Sequence, residues 1–334
     1  MRSTPAGAHT SDRQTAAGFT LTEVLVALVL LGLVMGAMMG VLVRQQKFYR
    51  SANELIDSRA NVRQAVAMLP LDLRTISASD ERNGTDVYAA TDKSIEFRSV
   101  FGSSIICKKL SLTQLVLPPV DVAKGTALTA WLRAPVAGDS LMIFDDSTSV
   151  GSDDDHWEVY KIQSVSTIVA TSANACQPAS GYLEAADVAA SRVSYLVEVA
   201  PSVPTFSTTI GQGAPIRFFQ RRRYELYQPT GSTSWYLGRY DCNNNTNSCP
   251  ALSPVSGPFA PYSATAANSG MSFIYWKSDG TTFTPAATTA SRMQIAGIQI
   301  VARSDTKSRV NISGMKNEVR RDSLSLNVSL RNTK

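Results

Sequence analysis

An uncharged apolar run near the N-terminus constrains this chain more than any other feature. Val24–Val43 contains 20 residues without a charge, a proline or a strongly polar side chain. As an α-helix rising ~1.5 Å per residue, such a run extends ~30 Å, which matches the hydrocarbon core of a membrane. A helix that is apolar on all sides must be surrounded by lipid or by other helices. The sequence therefore predicts a helix over residues 19–43 that spans a membrane or packs among other helices.

The residues before this run form a motif. Gly18 is followed by Phe19, and Glu23 stands five places after the glycine. A charge beside an apolar run is costly in lipid, so its retention indicates a role. The pattern resembles the N-terminus of type IV pilins and type II secretion pseudopilins. In these families a prepilin peptidase cuts after the glycine and methylates the new N-terminal phenylalanine. The resemblance implies that residues 1–18 are a cleaved leader, that Gly18 is the cleavage residue, and that Phe19 is the N-methylated mature N-terminus. The alternative is an ordinary single-pass anchor with a chance GFTLTE sequence.

The same resemblance implies that Glu23 sets the register between subunits. After cleavage, the amine of Phe19 is positive and lies about one helical turn from this carboxylate. In a bundle of such helices, the glutamate of one subunit can neutralise the amine of its neighbour, which costs far less than leaving both charges unpaired. The alternative is a hydrated glutamate at the membrane interface.

Three glycines form a GxxxGxxxG pattern within the apolar run. Gly32, Gly36 and Gly40 are spaced by four, so they share one ridge of the helix. Glycine on such a ridge allows the backbones of neighbouring helices to approach closely. The pattern predicts helix–helix packing, although glycine is also common in membrane helices that make no such contact.

The helix is predicted to continue past the membrane as an amphipathic segment, residues 44–70. Its apolar residues recur at spacings of four and three, interrupted by Arg59, with polar residues elsewhere on the surface. They are Phe48, Ala52, Leu55, Val62, Val66 and Leu69. Pro70 is expected to end or kink the helix, although one or two further turns could follow it. A helix over residues 20–69 would be ~75 Å long, with the stripe of its outer half on a sheet.

Residues 71–334 are predicted to form a β-rich head. Runs of β-branched and aromatic residues alternate with turn clusters. The predicted strands are Ser94–Phe101, Ile105–Leu117, Ser140–Phe144, Trp157–Val165, Val193–Val199, Ile216–Tyr227, Ser234–Tyr240, Met271–Trp276, Met293–Ala302 and Ser323–Leu330. Ala251–Asn268 is expected to be a loop. The fold class is α+β and pilin-like: a long N-terminal helix packed on an antiparallel β-rich head. A division of the head into two lobes between residues 120 and 150 stays open.

The cysteines predict disulfides. An even number of cysteines in a chain that faces an oxidising compartment favours pairing. Cys242 and Cys249 bracket a polar loop, so this pair is expected to bridge a hairpin tip. By elimination, Cys107 then pairs with Cys176. A metal site built from these cysteines is the weaker alternative, because the CxxC spacing is missing.

A cluster of arginines and aromatic residues is the most basic part of the sequence. Arg221, Arg222 and Arg223 are interleaved with aromatic residues over positions 217–239. This composition is typical of single-strand nucleic-acid platforms. It motivates the alternative function of a binding module displayed on the filament, either a DNA-uptake receptor or an adhesin. The competing interpretation is a solvated edge strand with a packed aromatic face, since alternate residues of a strand face opposite ways.

The remaining candidate sites are weaker. Aspartates that flank a Ser/Gly loop could hold Ca²⁺, but they lack the EF-hand pattern, so a solvated acidic loop is preferred. These are Asp145, Asp146, Asp153, Asp154 and Asp155. Apart from His9 in the leader, His156 is the one histidine, and it is interpreted as a surface or strand-edge residue. No nucleophile elbow, P-loop or GxGxxG motif occurs. We expect no catalytic residue, no metal and no cofactor.

The head is similar in pattern and order to PilW-type minor pilins, with the J-type minor pseudopilin as a near relative. The similarity rests on SYLVEV, RFFQRRRYELY, SWYLGRYDC, MQIAGIQIVAR and LSLNVSLRN, in that order. It implies a minor pilin or pseudopilin that initiates or caps a type IV pilus or type II secretion pseudopilus. The implied partners are other pilins or pseudopilins, the prepilin peptidase, an inner-membrane assembly platform and membrane lipid. The implied location is the bacterial inner membrane, with a single pass and the head in the periplasm, and afterwards the pilus or pseudopilus.

Overall fold

The computed structural model describes residues 18–76, 84–146, 155–200, 205–243, 248–312 and 315–330. The chain divides into two compact units. The N-terminal unit comprises Met1–Asn53 and Arg309–Glu318, and the head unit comprises Glu54–Ser308 and Val319–Lys334.

A single long helix, α1, runs over Leu21–Leu73. Its 53 residues extend about 80 Å at the α-helical rise. The predicted long N-terminal helix is therefore confirmed. Pro70 lies inside the helix, which ends three residues later. A proline so close to the C-terminus removes one intrahelical hydrogen bond, and the turn that contains it is closed by the Arg74 amide, which donates to the Pro70 carbonyl at 3.0 Å.

The rest of the described chain is rich in strands. In chain order they are β1 (Val87–Ala90), β2 (Ser94–Ile105), β3 (Lys108–Lys109), β4 (Gln114–Leu117), β5 (Ala130–Trp131), β6 (Ser140–Asp145), β7 (His156–Ile168), β8 (Ser194–Val199), β9 (Pro215–Tyr227), β10 (Trp235–Asn243), β11 (Ser248–Phe259), β12 (Met271–Trp276), β13 (Thr282–Phe283), β14 (Gly297–Asp305), β15 (Val310–Ile312), β16 (Met315–Glu318) and β17 (Arg321–Ser329). Two short α-helices, α2 (Ala185–Ala189) and α3 (Thr289–Arg292), and a 3₁₀ turn at Pro178–Ser180 lie between strands.

Antiparallel pairing joins the strands into three sheets. Eleven strands form the largest sheet, with the main order β1-β2-β9-β6-β7-β8-β4-β3. In addition, β10 pairs with β9 and β11, and β5 pairs with β2. A second sheet has the order β13-β12-β14-β17, and β15 pairs with β16 in the N-terminal unit. The predicted antiparallel β-rich head is confirmed.

The first core of the head unit contains the outer part of α1. Its buried helix residues are Val62, Ala65, Val66, Leu69 and Leu73. The same cluster includes Phe97 of β2 and Tyr224 of β9, whose rings stack with centroids 6.1 Å apart. It also includes Phe273 of β12 and Ile300 of β14. One core thus holds the helix, the large sheet and the four-stranded sheet together, with each fully buried leucine contributing roughly 1.5–3 kcal/mol.

A second core occupies the other end of the large sheet. Its buried residues come mainly from the C-terminal part of β2, the N-terminal part of β9, and strands β4, β6, β7 and β8. They include Leu141, Tyr160 and Phe218. Strand β9 contributes Phe218 to this core and Tyr224 to the first one. The two cores are therefore linked by continuous strands. The division into two lobes between residues 120 and 150 stays a prediction.

Some strand predictions are wrong. The predicted strand Ile105–Leu117 is two short strands, β3 and β4, because the chain turns at Ser111–Thr113. Half of the predicted loop Ala251–Asn268 is strand β11. Its prolines are tolerated because β11 is an edge strand that pairs with β10 alone. The alternating C-terminal strand is confirmed as β17, where exposure falls from 40% at Leu324 to 2% at Val328.

Candidate functional site

The start of α1 is closed by a reciprocal cap. The Glu23 amide donates to Thr20 Oγ1 at 3.3 Å, and the Thr20 amide donates to Glu23 Oε2 at 3.0 Å. The Thr20 hydroxyl also bonds to the same carboxylate oxygen at 3.0 Å. This arrangement is a capping box, in which the first helical residues satisfy otherwise unpaired donors. Glu23 is thus held at the helix start by its own chain.

Our sequence reasoning missed this local role. The signal was present, because Thr20-Leu21-Thr22-Glu23 has the T-x-x-E spacing of a capping box. Both hydrogen bonds from Thr20 end on Oε2 of Glu23, and Oε1 accepts none from the described residues. The capped carboxylate therefore keeps one oxygen that can accept a hydrogen bond from a positively charged group outside the chain.

The predicted packing ridge is open along the helix. Gly18 and Phe19 precede α1 and are exposed, and residues 21–50 of the helix are exposed throughout. A Cβ added at Gly32, Gly36 or Gly40 would meet nothing within 4 Å in the described residues. Among the described residues, no neighbouring atom requires glycine at these positions.

Comparison with known proteins identifies the same segment. Residues 13–39 match the family model described as the prokaryotic N-terminal methylation motif. This motif supports a subunit of the type IV pilin and pseudopilin superfamily. It also supports assembly with other pilins, processing by a prepilin peptidase, membrane anchoring and pilus display, and the motif family is structural rather than enzymatic. Helix α1 is long and apolar enough to cross a membrane. Its most apolar stretch is not buried against any other described part of the chain. No curated protein and no solved structure matches the chain.

Within the head unit, a charged network fastens the end of α1 to the large sheet. Asp72 Oδ2 accepts hydrogen bonds from Arg222 Nη1 at 2.7 Å and from the Tyr224 hydroxyl at 2.6 Å. Arg222 Nε also donates to Asp241 Oδ1 at 3.1 Å. Burial raises the pKa of Tyr224 above its ordinary value, and the negative charge of Asp72 raises it further. The phenol therefore stays protonated and donates its hydrogen bond. The network joins helix α1 to strands β9 and β10.

The other two central arginines also have carboxylate partners. Arg221 forms an ion pair with Glu96 and lies over the Tyr88 ring, with Cζ 4.7 Å from its centroid. Arg223 forms an ion pair with Glu225, and its Cζ lies 5.1 Å from the centroid of Tyr240. These carboxylates neutralise much of the positive charge of the three arginines, and a nucleic-acid platform on β9 stays an alternative prediction.

Both expected cysteine pairs are close in the structure. Cys107 and Cys176 form a disulfide with Cα atoms 5.6 Å apart, and Cys242 and Cys249 form another with Cα atoms 3.9 Å apart. The second joins β10 to β11 on either side of residues 244–247. The prediction that the cysteines form disulfides is confirmed.

The acidic segment and the histidine meet at the end of the β6–β7 hairpin where its connecting loop begins. Asp145 ends β6 and His156 begins β7, while Asp146 is exposed and Asp155 is half-buried. Asp153 and Asp154 lie outside the described residues. His156 is half-buried, with its Nε2 atom 3.4 Å from Glu158 Oε1. Glu158, which the sequence reasoning did not select, completes a group of three potential ligands with Asp145 and His156.

Proposed function

We propose that this protein is a minor pilin or pseudopilin of the PilW or J type, which initiates or caps a type IV pilus or a type II secretion pseudopilus. One observation carries the proposal: an exposed apolar helix directly follows a prepilin-type processing motif. A fully apolar helix is stable only in lipid or among similar helices. The subunit therefore begins in the bacterial inner membrane, with its head in the periplasm, and then enters a filament.

The cap at Glu23 supports a role in assembly. Thr20 uses one carboxylate oxygen of this residue, and Oε1 remains for a charged donor outside the chain. After cleavage behind Gly18, the amine of Phe19 on a neighbouring subunit is such a donor. A pair of this kind is worth most in the low dielectric of a helix bundle. The large head favours a position at an end of the filament, because such a head packs poorly in a repeating shaft.

The decisive experiment measures the mature N-terminus. The full chain is expressed with its native prepilin peptidase and analysed by mass spectrometry. We expect a chain that begins with N-methyl-Phe19. Gly18→Val should retain residues 1–18, whereas Gly32→Val, a matched glycine change within the helix, should be processed normally. An intact leader on the wild-type chain would refute the proposed function.

Assembly is measured separately on the processed protein. Glu23→Gln keeps an oxygen for the Thr20 cap but removes the negative charge. We expect the variant to be cleaved and to fold, and to be lost from complexes with other pilin-like subunits in pull-down experiments. Normal entry of Glu23→Gln into those complexes would refute the registration role and leave the processing result intact.

A further inference from the structure

A cluster of three ligand-type side chains lies on one face of the β6–β7 hairpin. In the antiparallel register, Asp145 stands directly opposite His156. Glu158 follows His156 by two residues, so both side chains project to the same face of the strand. The three residues therefore converge from two strands near the end of the second core.

The donor atoms of these residues are close enough for one ion to bridge. One carboxylate oxygen of Asp145, one of Glu158 and one ring nitrogen of His156 all lie within 4.8 Å of one another. Tetrahedral zinc lies about 2.0–2.2 Å from each ligand, so its donors are about 3.3–3.6 Å apart. Side-chain rotations that bring the donor atoms closer by up to about 1.5 Å would complete this geometry.

The strongest indication is an unsatisfied oxygen on Asp145. This residue is 3% exposed, and its Oδ2 accepts a hydrogen bond from Thr209 Oγ1 at 2.8 Å. Its Oδ1 has no hydrogen-bond partner within the described part of the chain. Burial of an unpaired carboxylate oxygen is costly, and native proteins normally satisfy it. A cation beside His156 and Glu158 would satisfy it.

Neighbouring side chains hold the two carboxylate ligands in place. The Tyr160 hydroxyl donates to Glu158 Oε2, and Thr209 fixes the other oxygen of Asp145. Such outer contacts orient metal ligands in known sites. Lys109 also lies nearby, but its ammonium donates to the backbone carbonyls of Ser207 at 2.6 Å and Ile210 at 3.1 Å. The two carboxylates outnumber this one ammonium, and the excess of negative groups complements a divalent cation.

We propose that Asp145, His156 and Glu158 bind one divalent transition-metal ion, with zinc as the representative ion. An imidazole ligand favours zinc and its neighbours over calcium and magnesium, which prefer oxygen ligands alone. Three protein ligands leave one tetrahedral position for water. The ion would fasten β6 to β7 at the loop end of their hairpin, and this role is independent of the filament function proposed above.

Calorimetric titration tests the site. The full chain is purified in detergent without a polyhistidine tag, stripped with a chelator and titrated with ZnCl₂. We expect one zinc ion per chain and a higher thermal unfolding temperature when zinc is present. Asp145→Asn, His156→Gln and Glu158→Gln should each weaken binding by about tenfold or more, because loss of a ligand costs at least as much as loss of an outer contact.

Two matched variants make the same kinds of substitution, Asp→Asn and His→Gln, at residues outside the proposed site. Asp146→Asn alters the neighbouring exposed carboxylate, and His9→Gln alters the other histidine of the chain. Both should bind zinc as the wild type does. Far-ultraviolet circular dichroism checks folding, and His156→Gln decides the result if Asp145→Asn does not fold. Absence of saturable binding, equal loss in the controls, or tighter binding of CaCl₂ than of ZnCl₂ would overturn the proposal.

Discussion

The two halves of helix α1 share one backbone conformation and differ in what covers their apolar side chains. In the membrane half, residues 21–43, Leu33 is 67% exposed, whereas in the packed half, Glu54–Leu73, Leu69 is fully buried. The packed half carries its apolar residues as a stripe, and its own chain covers that stripe. The membrane half is apolar all round, and the described part of the chain leaves it uncovered. The packed half thus contributes to folding of the head, whereas the membrane half offers its apolar surface for contacts outside the chain.

The largest expected effect separates the two halves by one substitution in each. Leu69→Ala should lower the free energy of unfolding of the head by about 2–5 kcal/mol, because it removes buried methyl groups and leaves a cavity. Leu33→Ala should leave that free energy within about 0.5 kcal/mol of wild type. Denaturant unfolding in detergent, followed by tryptophan fluorescence, measures both, since all four tryptophans lie in the head unit. Equal losses in the two variants would break the comparison.

A smaller effect is expected from the charged network at the end of the packed half. Asp72→Asn keeps the side-chain shape but weakens the bonds from Arg222 and Tyr224. We expect a loss of roughly 1–3 kcal/mol, the range for hydrogen bonds to a charged group. Asp57→Asn is the control, because Asp57 is an exposed aspartate on the same helix. The same denaturation experiment applies, and a wild-type stability for Asp72→Asn would mean that the network does not hold the helix.

The helix was predictable from sequence because its signals are local. A charge-free run and a periodic stripe need no knowledge of distant residues, and Val62, Val66 and Leu69 are buried as expected. Phe48, placed in the same stripe, is 50% exposed. Periodicity reports which face of a helix is apolar, but not how far along the helix a covering sheet extends.

The head was less predictable because its pairings are not local. Strand β11 was missed because Pro250, Pro254 and Pro258 indicate loop, and only pairing at a sheet edge explains them. The group of Asp145, His156 and Glu158 was also missed. His-x-Glu on one strand is visible in the sequence, but the opposing aspartate depends on the register between β6 and β7, which the sequence pattern does not specify. The Thr20–Glu23 cap, in contrast, was readable and was overlooked.

The smallest effect on stability is expected from a substitution on the glycine ridge of the membrane half. Such a substitution should change assembly with other subunits rather than folding. Gly36→Ala adds a methyl group that meets nothing within 4 Å in the described chain. Removal of a helix-interior glycine favours the helix by up to about 1 kcal/mol, so the isolated subunit should fold at least as well as wild type. If neighbouring helices pack on this ridge, the same methyl group should weaken co-purification with other pilin-like subunits. Ala37→Val adds bulk to a different side of the same turn and should co-purify normally. Equal capture of Gly36→Ala and wild type would assign these glycines to a helix that merely tolerates them, and would leave Glu23 as the one assembly contact in this half.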